Sequence, residues 1–286
     1  MRIKTNYILL IVFIAQIALG TLIQFVSKNG VSDYYMMFLT QLIPILIPSL
    51  IYLKFNKAGF KAIKRDKSIN ILDIVIIVIT SFAVNIIVNH FLCLPVYTLF
   101  QSTTTNEVYN SSGFEFAVDI FLICLIPAMF EEVLFRGIAF SEYEKIYGTK
   151  KAIILCAVVF SLMHGSLIAL VPQFITGLYL TYIVYKTNSI YSGVIGHFVI
   201  NLTTLFMQNA AVDVDAILRF VITGNQIVIF VLFVLLITIG VWLIGKLHIT
   251  NKIKKPTLNK SEIKVEENFF SLLVVLFICI QLLTLL

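Results

Sequence analysis

"FLICLIPAMFEEVLFRG", residues 121–137, sets an unbroken apolar run against two adjacent carboxylates and an arginine. The first ten residues suit lipid, whereas Glu131, Glu132 and Arg136 do not. Charge inside hydrocarbon is costly and is kept where it is paired or put to use. Which solvent surrounds this stretch is settled by the rest of the chain. Of its 286 residues 59% are hydrophobic and 13% are charged, about half the usual share of charge in a soluble domain. The mean hydropathy is +0.99. A soluble fold cannot hide so much apolar surface, so the class is all-α: a polytopic helical integral membrane protein with eight to nine transmembrane helices.

A span needs about 20 apolar residues. Nine stretches qualify, at about 7–26, 36–54, 71–93, 115–140, 152–168, 171–186, 190–209, 226–246 and 269–286. The sixth is short, and the ninth is expected either to span or to lie along the membrane surface. The first lacks a small-residue cleavage site and is expected to be retained as a helix. No repeat or low-complexity tract divides the chain, so residues 1–286 read as one membrane domain.

Basic residues orient the spans. With Arg2 and Lys4 in the cytosol, one alternation also places there Lys54, Lys57, Lys61, Lys64, Arg65 and Lys67, then Lys145, Lys150, Lys151 and Lys186, and the lysines from 246 to 264. Only Lys28 and Arg219 fall outside. The expected location is the cell membrane, with a cytosolic N-terminus. The basic stretch 54–67 reads as a topology signal that also touches anionic lipid. The net charge of +6 is therefore topological and gives no reason to expect nucleic acid as a partner. Cys93, Cys124, Cys156 and Cys279 lie in or beside apolar runs without metal-binding spacing and read as packing residues.

Three clusters put titratable groups inside spans: "EEVLFR" in the fourth, "FSLMH" in the fifth and "HFVIN" in the seventh. Glu132 and Arg136 stand four apart on one helical face and are expected to pair. Glu131 is turned about 100° away, so it is the carboxylate left free to act as a base. Phe160 with His164, and His197 with Asn201, repeat the four-residue spacing. From the span edges above, His197 and His164 lie about 10 Å and about 18 Å from the cytosolic ends. Glu131 lies about 24 Å from its outer end. All three are expected to face one wet chamber open to the cytosol. Gly193 and Gly196 beside His197 favour close helix approach.

EExxxR, FxxxH and HxxxN, in that order and inside spans, resemble the CAAX protease and bacteriocin-processing family, also called the Abi family, of intramembrane endopeptidases. The resemblance covers about residues 115–205, which would form the catalytic core. It implies that Glu131 and His164 activate a water, and that His197 and Asn201 stabilise the oxyanion. Glu132, Arg136 and Phe160 would support the site. The implied partners are the lipid bilayer and a peptide or membrane-anchored protein substrate. The implied biology is bacterial peptide maturation or self-immunity to bacteriocins, and no cofactor is required.

Three other readings are distinct. Glu131, His164 and His197 would make a three-ligand zinc site with Glu132 as base, although the helical HExxH pattern is missing. The chain could instead be a non-catalytic immunity or scaffold protein, or a transporter, but the interrupted helix pairs of inverted repeats are absent from the sequence.

Overall fold

The computed structural model describes residues 5–27, 38–55, 65, 67–89, 111–165, 169–209, 226–247, 270–271 and 274–275. Eight helices stand among them. They are α1 (Thr5–Ser27), α2 (Phe38–Phe55), α3 (Ile71–Asn89), α4 (114–147), α5 (Thr149–Met163), α6 (Leu170–Thr187), α7 (Ile190–Asn209) and α8 (Gln226–Lys246). These answer to the first eight expected spans. Most of the ninth, with Cys93, Cys279 and the lysines from 252 to 264, lies outside the described residues. Within the described residues, Thr5–Ile23, Phe38–Phe55, Ile71–Asn89 and Ile190–Asn209 are long and apolar enough to cross a membrane by themselves.

α4 departs most from expectation. It continues past residue 140 to Tyr147, and it is not a uniform α-helix: π segments at Ile120–Leu125 and Val133–Ala139 alternate with α segments. Pro127 follows the first π segment. It has no N–H to offer the Ile123 carbonyl four residues back, so that carbonyl is left for another donor. The extension beyond 140 carries charge, yet Tyr143 and Glu144 are buried because each finds a polar partner. The Tyr143 hydroxyl donates to Asn6 Oδ1 at 2.6 Å. Arg65 Nη2 donates to Glu144 Oε2 at 2.8 Å, and Thr149 Oγ1 to Oε1 at 2.9 Å.

Gly148 alone separates α4 from α5, at φ 78° and ψ 163°. Only glycine takes such a conformation without strain. α5 therefore starts at Thr149, three residues earlier than its hydropathy indicates, and His164 stands about 22 Å along it. α5 and α6 pack as a hairpin. A Cβ on Gly177 would stand 3.0 Å from Ala157 Cα, so the two backbones are nearly in contact there. Asn188, in the left-handed region at φ 51°, ends α6 and lets α7 begin at once. α7 then packs against α3, α4 and α6.

Apolar packing falls into two groups. The larger joins α1, α2, α4 and α5 around Phe13, Leu134, Phe140, Tyr143 and Phe160; the smaller joins Ile77, Tyr179, Leu180, Ile183 and Ile200 of α3, α6 and α7. Within the basic stretch 54–67, Arg65 has a structural role. Arg65 is 3% exposed, pairs with Glu144, and lies over the Phe140 ring at 4.1 Å. Its carbonyl accepts from Ile190 N–H at 2.6 Å, so one residue ties the end of α4 to the start of α7. Lys186 also has a structural role: its Nζ donates to the Ile244 and Gly245 carbonyls at the end of α8.

Candidate active site

The site is built from one segment each of α4, α5, α6 and α7. Glu132 and Arg136 pair as their spacing requires, Nη1 to Oε1 at 2.6 Å, and neither side chain is exposed at all. The guanidinium is held on every side. Nε donates to Thr181 Oγ1 at 3.3 Å and Nη2 to the Gly177 carbonyl at 3.3 Å. One face lies 4.4 Å from the centroid of Phe160. Thr181 Oγ1 itself donates to the Gly177 carbonyl at 2.7 Å. Neither Gly177 nor Thr181 was singled out from sequence. Their four-residue spacing on α6, small residue then hydroxyl, is the signal that would have found them.

Glu132 also receives His197. Its Oε1 stands 3.0 Å from His197 Nδ1. As the ion-pair partner of Arg136 the carboxylate can only accept, so Nδ1 carries the proton and Nε2 is left for other work. The expected support residue thus holds one of the expected catalytic ones. This contact joins positions 65 residues apart in the chain, so no local spacing could reveal it.

His164 follows the same logic with a different partner. Its Nδ1 lies 2.8 Å from the Phe160 carbonyl, which can only accept, so Nδ1 is again the protonated nitrogen and Nε2 is presented. The residue is exposed. Its ring stacks against Phe160 with centroids 4.5 Å apart, and Phe160 in turn meets His197 edge-on at 5.9 Å. Phe160 is fully buried and packs against the Arg136 guanidinium as well as both imidazoles. His164 lies within electrostatic reach of Glu131, His197 and Arg136, which brings the three motifs into one neighbourhood.

Glu131 is 8% exposed, and its Oε2 has no hydrogen-bond partner among the described residues. The two neighbouring glutamates are therefore in opposite situations, one committed through Oε1 and the other uncommitted. Asn201 has a partner of its own. Its Nδ2 makes a long 3.4 Å bond to the Ile123 carbonyl, the one that Pro127 leaves open. Among the described residues no three His, Cys, Asp or Glu side chains are grouped closely enough to hold a metal ion.

Residues 113–203 match the family model described as Type II CAAX prenyl endopeptidase Rce1-like. That segment runs from the start of α4 to within α7 and contains all three motifs, so the resemblance they carry holds. No curated protein and no solved structure matches the chain.

Proposed function

We propose, from the match of residues 113–203 to the CAAX prenyl endopeptidase model, that this helical membrane protein hydrolyses peptide bonds with a water activated by Glu131 and His164. The observation that carries the reading is the pairing of an uncommitted carboxylate with an exposed imidazole whose Nδ1 is already engaged. A buried carboxylate and the Nε2 of a neutral histidine are both proton acceptors, and hydrolysis begins with a proton leaving water.

The steps balance as follows. Glu131, assisted by His164 Nε2, takes a proton as the water oxygen bonds to the scissile carbonyl carbon. The carbonyl oxygen becomes an oxyanion and is met by His197 Nε2–H and the Asn201 amide. As the carbon–nitrogen bond breaks, the captured proton passes to the leaving amine. With Nδ1 held by Glu132, His197 donates from Nε2 when that nitrogen carries a proton as well. Asn201 reaches the oxyanion by giving up its long bond to Ile123. The rival reading is zinc on Glu131, His164 and His197: the carboxylate on His197 Nδ1 and the carbonyl on His164 Nδ1 leave each Nε2 free, which serves a metal as well as a proton transfer. The substrate class is a short peptide or a membrane-anchored protein, entering a chamber on the cytosolic side of a bacterial membrane.

The test is cleavage of membrane and secreted peptides by wild type and Glu131→Gln, followed by peptide proteomics. Glu131→Gln keeps shape and removes the base, so cleavage is expected to fall by about 100- to 10,000-fold with the protein still folded. Activity that is abolished by a chelator and restored by zinc alone would replace the water–glutamate mechanism with the metal one. Unchanged peptides on loss of Glu131 would leave a binding or immunity role.

A further inference from the structure

Gly193 stands one turn before His197 on α7, on the same face, and is buried. The space where its side chain would begin is already filled. A Cβ there would overlap Oε2 of Glu132, stand 3.1 Å from that residue's Cδ, and stand 2.7 Å from Val184 Cγ2 of α6. Ordinary carbon–oxygen contacts are no closer than about 3.3 Å. α7 cannot yield toward α6, because Val184 blocks it from the other side.

Glu132 is arranged asymmetrically. Oε1 accepts from both Arg136 and His197, whereas Oε2 has no hydrogen-bond partner among the described residues. Nothing directional holds Oε2; the space left by Gly193 does. A carboxylate is rigid and planar, so displacing Oε2 must also rotate Oε1. Oε1 is tied to Arg136 on its own helix at 2.6 Å and to His197 on the neighbouring helix at 3.0 Å. The longer, interhelical contact is the one that a shift of Glu132 breaks.

We infer that Gly193 is a positioning residue for the site: its missing side chain admits the Glu132 carboxylate under α7 and so keeps the Nδ1–H of His197 bonded to Oε1. Gly196, one residue before His197, differs. A Cβ there meets Ile183 Cδ1 at 3.0 Å, Leu180 Cδ2 at 3.1 Å and Ser81 Oγ at 3.1 Å, which are packing neighbours with no tie to either histidine. The consequence for turnover rests on the proposed hydrolysis; the control of His197 does not.

The experiment uses the full chain in nanodiscs, with 15N-histidine labelling and thermal unfolding of wild type, Gly193→Ala, Gly196→Ala, Glu132→Asp and the two doubles that combine each alanine with Glu132→Asp. His197 is assigned by its loss in His197→Gln. Gly193→Ala is expected to remove the hydrogen-bonded Nδ1 proton signal of His197, and Gly196→Ala to keep it while lowering the melting temperature. Shortening residue 132 vacates the contested space. Glu132→Asp should therefore recover much of the stability lost in Gly193→Ala and none of that lost in Gly196→Ala, a coupling that packing alone would not give. If Gly193→Ala fails to fold alone, the double variant decides. With a cleavable peptide, Gly193→Ala is expected to lower kcat by on the order of 100-fold and to displace its pH profile. Retention of the Nδ1 signal in Gly193→Ala, or strict additivity with Glu132→Asp, overturns the inference whether or not the chain cleaves peptides.

Discussion

Arg136 and Arg65 are both buried and both bonded to a glutamate, but they are satisfied to different degrees. Arg136 gives N–H groups to a carboxylate, a hydroxyl and a carbonyl, and lays its face on Phe160. Arg65 gives one to Glu144, while its Nε and Nη1 find no partner among the described residues. The guanidinium at the centre of the matched segment is fully held, and the glutamate it fixes has a second partner in His197. The guanidinium beyond the spans is a fastener between α4 and α7. A buried ion pair contributes little net stability, because desolvation offsets its attraction, yet breaking one partner out of it is costly. The difference lies in what each pair holds in place.

Glu132→Gln should have the largest effect. It strands Arg136 at a cost of about 3–5 kcal/mol and also frees His197, so both the melting temperature and cleavage per folded molecule should fall. Glu144→Gln should cost stability on the same scale but leave cleavage per folded molecule unchanged. Thermal unfolding in nanodiscs, with cleavage normalised to folded protein, compares the two. Equal loss of specific activity would show that both pairs serve the site.

Replacing both partners sharpens the contrast. Burial pushes the Arg65 guanidinium below its ordinary range, with Glu144 drawing it back up. A base whose folded-state pKa is lowered is destabilised as a cation in the fold. That penalty is constant through neutral pH and lifts only in strong alkali, as pH rises through the folded value. Mutation exposes it where pH cannot. Arg65→Met with Glu144→Leu is expected to be neutral, or stabilising by about 1–4 kcal/mol. A loss of more than about 2 kcal/mol in chemical unfolding would make the pair a net contributor, against the general behaviour of such pairs.

The sequence disclosed local relations well. Glu132 with Arg136 and Phe160 with His164 follow from four-residue spacing along one helix, and both occur. Relations between helices were invisible, because spacing carries no information about which helix lies alongside. His197 on Glu132, Thr181 under Arg136 and Gly193 against Oε2 all belong to that kind. The far end of α4 was missed for another reason. "SEYEKIY" has the composition of a loop, and its burial depends on Arg65 and Asn6, which lie more than 75 residues earlier. The basic stretch likewise read as a lipid-facing signal because one of its cations, Arg65, has an acidic partner that only the fold brings near.

The smallest effect belongs to an exposed pair. Lys145 Nζ meets Glu142 Oε1 at 2.6 Å, with the lysine 50% exposed. Water and salt screen it, and Glu142→Ala should change stability by less than about 1 kcal/mol. A loss comparable to Glu144→Gln in the same unfolding assay would mean that the end of α4 is held as a unit rather than by Arg65.

The π segment Val133–Ala139 lies between the glutamates of the site and Glu144. Such a segment is an α-helix that has absorbed an extra residue. It therefore acts as a phase adjuster: the face of α4 that carries Glu131 and the face that meets Arg65 are set independently, by a register offset rather than by the side chains themselves. Deleting one residue there and letting the ladder close to plain α geometry would turn everything beyond it by about 100°. With the deletion at Ile138 or Ala139, Glu131, Glu132 and Arg136 would keep their spacing, while Glu144 would swing away from Arg65. Two recognition problems on one rod, each solved in its own angular frame, need such an offset, and a strictly periodic helix has none to give.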